Sequence, residues 1–298
     1  MHLRIAPRDL ALILAVVALW GFTFVPSKWA LSEMPPFMLA ALRFALAAIP
    51  AVFFVARPAA PWPIVVAYGI AIGVFQFGLL FLGMQLGMPA GLASLVMQMQ
   101  AFFTIGLAVL LTRDPLHRWN VLGAIVALFG VVVLGAYKML EGATGSLVGF
   151  LVVLCGAFSW GVGNLVAKRA EGADMFSLVV WSSLIPPPIL GLLSYLFEGG
   201  SAAFTGLAGV SWRGWISVAI LAWGGTLFGF SAWARMLHQY PVALVSPFSL
   251  LVPVSGLSFA WLLLGEKLSP LQFAGTMLVF VGLAINVYGQ RLWRRMMQ

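Results

Sequence analysis

The 298-residue sequence predicts an all-α polytopic membrane protein, with ten transmembrane helices in two inverted five-helix repeats and both termini in the cytoplasm. Three observations lead to this class: the composition, the number of apolar segments and an internal repeat. Hydrophobic residues make up 62% of the chain and charged residues 8%, whereas soluble domains contain about 25% charged residues. This composition excludes a water-soluble domain, a disordered chain and a nucleic-acid-binding domain, despite the net charge of +8.

Ten segments are apolar over the roughly 20 residues that a transmembrane helix needs. They cover residues 10–30, 37–55, 63–84, 90–112, 119–137, 147–167, 175–197, 212–234, 241–264 and 270–290. Arg4 and Arg8 precede the first segment as in a signal peptide, but no cleavage site of small residues follows, so we expect an uncleaved first span. The connections are short, and function is therefore expected within the bilayer.

The basic residues orient these spans. With the N-terminus inside, eleven Lys and Arg residues fall on the cytoplasmic side and four on the opposite side, with Arg43 inside the second span. Cytoplasmic loops are enriched in Lys and Arg. The bias supports an even number of spans and two cytoplasmic termini.

The chain also repeats itself. Trp20-Gly21 recurs as Trp160-Gly161, and from the third span onward the two halves align at a constant offset of 152 residues. The aligned pairs include Gly73/Gly225, Pro89/Pro241, Ser94/Ser246, Gly123/Gly275, Gly130/Gly282 and Asp114/Glu266. A repeat of five helices places its second copy upside down, and inverted repeats of this kind support alternating access in transporters. We predict one repeat over 1–140 and another over 141–298; the alternative is a duplication that only builds a stable bundle.

The ordered motifs resemble the EamA-type drug/metabolite transporters over the whole chain. They are a Trp-Gly in span one, Arg43 in span two, Pro-Ala-x-x-Ala-Ser at residues 89–94, and Gly265-Glu266-Lys267-Leu268 before a Gly-x6-Gly helix. The aromatic-rich composition is most similar to the amino-acid exporters of that family. The resemblance implies a central cavity lined mainly by spans 1, 3, 4, 6, 8 and 9, with spans 5 and 10 at the periphery. Asp114-Pro115 departs from the Gly-Glu motif in the first half, and Trp181 takes the place of Arg43 in the second.

Polar side chains within the hydrocarbon core are expected to face the protein interior. Uncharged polar groups would bind the amine and carboxylate of a substrate, and aromatic groups would line the pocket. The alternative is that the small polar residues only link neighbouring helices. The predicted substrate-binding residues are Trp20, Phe24, Gln76, Phe77, Leu80, Ser94, Gln98, Trp160, Asn164, Phe230, Ser246 and Ser249.

Five further residues are predicted to act in gating. Pro26, Pro247 and Pro253 interrupt spans, and each removes a backbone hydrogen bond, as a hinge requires. Lys28 and Lys168 lie at opposite membrane edges as alternate gates, or as interfacial anchors.

Arg43 is expected to snorkel or to pair with Glu33 rather than to hold a substrate carboxylate. Gly69-x3-Gly73 and Gly225-x3-Gly229 predict close helix packing.

No Asp or Glu falls inside a predicted span. Ion-coupled carriers commonly use an embedded carboxylate, so we expect facilitated export of neutral or zwitterionic small molecules across the inner membrane. Amino acids are the cargo that the resemblance implies, with the bilayer as the only other partner: no cofactor, metal, nucleic acid or obligate protein partner is expected. A broad drug/metabolite exporter, a channel and a membrane-embedded enzyme remain as alternatives.

Overall fold

The structure, a computed structural model, describes residues 5–112, 118–140, 144–170 and 172–296, and those residues form helices and no strands. Ten long helical segments follow one another within these ranges. They are α1 (Pro7–Leu31), α2 (Pro36–Ala51), α3 (Trp62–Gln85), α4 (90–112), α5 (Arg118–Leu140), α6 (Thr144–Lys168), α7 (Met175–Phe197), α8 (Trp212–Gln239), α9 (242–264) and α10 (Pro270–Met296). Their bounds lie within a few residues of nearly all the predicted spans.

Among the described residues, nine of these helices are long and apolar enough to cross a membrane. Their large apolar side chains also point outward: Ile125, Phe129 and Val132 on α5 are each more than half exposed. A soluble protein rarely exposes an apolar surface of this extent, so these side chains face lipid. The prediction of an all-helical polytopic membrane protein is confirmed.

Helix α2 is shorter than predicted. The span was expected over 37–55, but the helix contains 16 residues and ends at Ala51. Pro50 has no N–H to donate to the Leu46 carbonyl, four residues earlier. That carbonyl instead accepts a hydrogen bond from Trp223 Nε1 on α8 at 3.0 Å. The end of α2 is thus stabilised by a distant helix rather than by its own backbone.

Several helices change their winding within the bundle. Helices α3 and α8 each contain a nine-residue π-helical stretch, Gly69–Phe77 and Ile220–Phe228, which begin 151 residues apart. Helices α4 and α9 contain 3₁₀ turns at Met97–Met99 and Ser246–Leu250. π-bulges and 3₁₀ segments inside helices occur often at functional sites. All four segments contribute residues to one cavity or lie beside it.

Helices α5 and α10 pack against each other through glycines. A Cβ added to Gly123 would lie 2.6 Å from the Gly282 carbonyl oxygen, and one added to Gly130 would lie 2.7 Å from that of Gly275. In the sequence alignment of the two halves, Gly123 matches Gly275 and Gly130 matches Gly282. Gly123 therefore contacts the counterpart of Gly130, and Gly130 contacts the counterpart of Gly123. Such reciprocal contacts are what a two-fold relation between two copies produces.

Three carboxylates cap helix N-termini at one end of the bundle, which we call the cap end. Glu33, after α1, accepts hydrogen bonds from the Ser211 N–H and hydroxyl at the start of α8. Glu198, after α7, accepts from the N–H groups of Phe37 and Met38 on α2. Glu266, after α9, accepts from the N–H groups that start α4. The bonds from Ser211 lower the pKa of Glu33, which keeps that carboxylate ionised.

Candidate functional site

A cavity of about 400 Å³ lies in the middle of the bundle. Its wall comes from α1, α3, α4, α6, α8 and α9, with one residue each from α2 and α7. Eleven of the twelve predicted binding residues line it: Trp20, Phe24, Gln76, Phe77, Leu80, Ser94, Gln98, Trp160, Asn164, Phe230 and Ser249. The twelfth, Ser246, has its backbone in the 3₁₀ turn of α9, and its side chain lies outside the described residues.

An aromatic cluster centred on Trp20 forms part of the wall. The centroid of the Trp20 ring lies 5.5 Å from that of Phe230 and 5.2 Å from that of Trp233. Its Nε1 donates to the Gly225 carbonyl at 2.9 Å, within the π-helical stretch of α8. A Cβ on Gly229 would collide with this indole. Gly229 therefore makes room for the indole, and Gly225 lies against the Thr23 side chain. Gly69 and Gly73 pack closely against α7, as their spacing predicts.

Gln98 links two helices through the carbonyl that lies four residues before a proline. Pro253 has no N–H for the Ser249 carbonyl, four residues earlier. Gln98 Nε2 donates to that oxygen at 3.0 Å. The 3₁₀ turn of α4 that contains Gln98 thereby contacts the irregular part of α9.

A second polar link joins α6 to α4. Asn164 Nδ2 donates to Gln100 Oε1 at 2.7 Å and to Thr104 Oγ1 at 3.0 Å. Gln100 also lines the cavity. Asn164 and Gln98 thus make helix-to-helix hydrogen bonds and also border the cavity, and a role in binding substrate stays a prediction.

Arg43 is the largest departure from expectation. Its side chain is 4% exposed and lines the cavity, so it does not snorkel. It does not pair with Glu33, whose carboxylate binds Ser211. Its guanidinium lies over the Phe77 ring, 3.8 Å from the centroid, and donates to Thr226 Oγ1. Neither expectation took account of α8, which supplies Thr226 from 183 positions away in the chain.

Other lining residues were absent from the predicted set. Thr23 and Ser27 share a face of α1 with Trp20 and Phe24 at i, i+3, i+4 and i+7 spacing, a signal that was present in the sequence. Tyr68 and Trp233 border the cavity as well. Trp233 lies three residues after the predicted Phe230, so its spacing was a signal as well. Tyr and Trp are also enriched at membrane interfaces, so the residue type alone does not separate the two roles.

The predicted gating residues do not line the cavity. Pro26 is buried three residues after the break in α1 at Thr23, and Pro253 is buried in α9. Pro247 is the second residue of the 3₁₀ turn of α9. Lys28 and Lys168 occupy the last turns of α1 and α6. Asp114, the counterpart of Glu266, lies outside the described residues.

The two ends of the cavity differ. At the cap end, Leu31, Met84, Met88 and Ala90 are 5% exposed or less and pack in one cluster. Toward the opposite end, where α1 begins, the lining continues to Met175, the first residue of α7, and to Leu237 in the last turn of α8. The cavity is therefore closed at the cap end and extends to the other end.

Comparison with known proteins decides the family. The model of the EamA-like transporter family matches residues 8–136 and again residues 147–288. This chain belongs to the EamA-like transporter family. It is thus a transporter rather than an enzyme, and a multi-pass protein of the inner membrane.

Two relatives and one solved structure resemble the chain over nearly its whole length. Proteins of Escherichia coli (strain K12) and Salmonella typhimurium (strain LT2), each named "Probable amino-acid metabolite efflux pump", are 43% identical to it. The alignments cover 97% and 96% of this chain and 97% of each relative. A crystal structure at 23% identity covers 98% of this chain and 99% of its own, with a TM-score of 0.66, and supports the fold.

Proposed function

We propose that this transporter exports amino acids, aromatic and other neutral ones among them, across the inner membrane. The observation that carries the proposal is the cavity, whose wall combines Trp20, Trp160 and Phe230 with the polar groups of Gln76, Gln98 and others. Its volume falls in the range of small-molecule sites, which are mostly apolar with a few polar groups. The names of the two relatives at 43% identity support the same class of cargo.

The mechanism that we propose is alternating access by two inverted repeats, 1–140 and 141–298, with ten spans and cytoplasmic termini. The double match of the family model and the reciprocal glycine contacts of α5 and α10 support the repeat. The charge bias, with eleven basic residues on one side, supports the orientation. In that orientation the cap end is external, and the cavity extends toward the cytoplasm.

Transport is proposed to be facilitative. None of the residues described as lining the cavity is Asp or Glu, the groups on which proton- and sodium-coupled carriers commonly depend. The substrate's own gradient then drives net export. Purified protein is expected to suffice, without a cofactor or a partner protein.

Uptake into proteoliposomes tests this proposal. We expect purified protein to take up at least one of labelled phenylalanine, methionine and threonine without an imposed pH gradient. Uptake only with the gradient would contradict the facilitative mechanism. If no amino acid enters in either condition, the cargo is wrong, and a broad exporter of neutral drugs or metabolites becomes the better interpretation.

The indole of Trp20 provides a sharper test of the cavity wall. Gly229→Ala places a methyl group where the indole lies, and we expect the uptake rate to fall about tenfold because the ring must move into the cavity. Gly224→Ala is the matched control, since its Cβ would meet Leu19 only at 3.6 Å. Equal uptake by the two variants would remove Trp20 from the transport path.

A further inference from the structure

Arg43 is the one charged side chain among the residues described as lining the cavity. It lies within α2 and is 4% exposed. A buried cation without an anionic partner is strongly unfavourable, and charged groups inside a membrane usually mark a substrate path. An anionic group is therefore expected to bind this guanidinium.

The described part of the chain gives Arg43 only neutral partners. Nε and Nη2 both donate to Thr226 Oγ1, at 3.3 and 3.2 Å, and Thr226 in turn donates to the Leu221 carbonyl. All five described carboxylates accept hydrogen bonds from other groups: Asp9 from Tyr240, Asp174 from Ser177, and Glu33, Glu198 and Glu266 at the cap end. A guanidinium has five N–H donors, so Thr226 leaves donors for a ligand.

The surroundings also fix the orientation of the guanidinium. The Phe77 ring lies against it, 3.8 Å from ring centroid to Cζ, and Phe44 lies at 5.7 Å. Stacking on an aromatic face and a hydrogen bond to Thr226 together hold the planar group in place. A guanidinium so held matches the two oxygens of a carboxylate.

A complementary acceptor lies next to Phe77 in the chain. Gln76 lines the cavity and is 3% exposed, and its Oε1 is buried without a hydrogen-bond partner. An unpaired buried acceptor is unfavourable. The terminal torsion of glutamine rotates readily between two arrangements, so the oxygen can turn to a donor that enters the cavity.

We propose that Arg43 binds the carboxylate of the substrate and that the Gln76 amide oxygen accepts a hydrogen bond from its ammonium group. The cavity then selects zwitterionic α-amino acids by their common backbone, while the aromatic wall receives the variable side chain. This inference rests on the proposed function and adds to it the groups that recognise the substrate class.

Binding of an amino acid and its carboxamide tests the role of Arg43. The ligand is whichever of phenylalanine, methionine and threonine the wild type takes up fastest. We expect wild type to bind the acid at least about 30-fold more tightly than the amide, because only the acid pairs with the guanidinium. In Arg43→Gln the two affinities should agree within about threefold, chiefly through loss of acid binding. Arg213→Gln, outside the cavity, is the control and should keep the wild-type preference.

The role of Gln76 is tested with the ammonium group instead. Wild type should prefer the amino acid to its analogue that lacks the amino group. Gln76→Leu should reduce that preference about tenfold and leave the preference for acid over amide unchanged.

The outcomes separate this inference from the proposed function. If wild type takes up no amino acid, the proposed function fails and this inference fails with it. If wild type transports amino acids and Arg43→Gln still prefers the acid to the amide, only this inference is overturned. Equal loss of affinity for acid and amide would overturn it too.

Arg43→Lys keeps the test decisive if Arg43→Gln cannot be purified in folded form. Lysine retains the positive charge but lacks the planar fork. Affinity for the acid should then fall about tenfold, with part of the preference over the amide retained. Unchanged affinity would contradict the proposal.

Discussion

Gly21→Leu is expected to abolish the folded transporter. A Cβ at this position would lie 2.5 Å from Ser255 Cβ, 2.6 Å from the Gly256 nitrogen and 2.7 Å from the Val252 carbonyl oxygen. Two of these atoms belong to the α9 backbone and cannot rotate away, so α1 and α9 would have to separate. Overpacking a core commonly costs about 1–3 kcal/mol, and a leucine against rigid backbone lies at or above the upper end.

The measurement is the yield of monodisperse protein after detergent extraction, followed by size-exclusion chromatography. We expect Gly21→Leu to give less than about one tenth of the wild-type yield, given that cost. Gly106→Leu on α4 is the control, because a Cβ there meets nothing within 4 Å. If both variants extract like wild type, the contact between α1 and α9 is not a tight one.

The same contact explains the repeated Trp-Gly motif. The sequence alone reveals that Trp20-Gly21 recurs as Trp160-Gly161, but not why glycine is needed. Gly161 packs against Phe103 and Thr104, the counterparts of Ser255 and Gly256 at the 152-residue offset. The glycine of each motif thus packs against the fourth helix of the other half. The motif is visible in the sequence, but only the contact between helices explains why it contains glycine.

Helix bounds were predictable because apolar runs in this chain end at prolines, glycines and charged residues. The spans at 90–112 and 175–197 coincide with α4 and α7. Prolines inside helices were less predictable. Pro50 and Pro253 each lack the N–H that would bond to the carbonyl four residues earlier, and that carbonyl accepts from Trp223 or Gln98 on another helix. A local rule identifies the carbonyl that loses its usual helical donor but cannot identify a partner more than 150 residues away.

The cavity followed from sequence to the extent that polar and aromatic residues in spans face inward. That rule placed eleven side chains correctly around one cavity. Arg43 obeys the same rule. The expectation that it snorkels or pairs with Glu33 was wrong, because a snorkelling side chain and a cavity-lining one have the same position in a linear span. What separates them is Phe77 and Thr226, on two other helices.

Glu266→Gln is expected to shift the transporter toward the conformation that is open at the cap end. The Glu266 carboxylate accepts from the N–H groups of Ala90 and Gly91, at 2.8 and 2.9 Å. It neutralises the positive N-terminal end of α4 from a loop in the other half of the chain. Glutamine has one acceptor oxygen and no charge, so this link between the halves weakens. Glu33 and Glu198 still cap the N-termini of α8 and α2, and the bundle should therefore stay folded.

A cysteine at Ser27 reports the change, in a background with Cys155→Ser. Ser27 is 3% exposed and lines the cavity on the side of the cap end. With the proposed orientation, a membrane-impermeant maleimide added to intact cells reaches Ser27→Cys only when the cap end opens. A charge-assisted hydrogen bond contributes roughly 1.5–3 kcal/mol, so Glu266→Gln should raise the labelling rate about tenfold or more.

Lys267→Gln is the matched control for that experiment, since Lys267 adjoins Glu266 but is exposed. It should label at the wild-type rate. If Glu266→Gln also labels at that rate while transport persists, the carboxylate only caps α4 and does not hold the two halves together. Faster labelling together with slower net export would instead identify the Glu266 cap as a closure that must break and re-form in each transport cycle, because a carrier that stays open to one side cannot complete its turn.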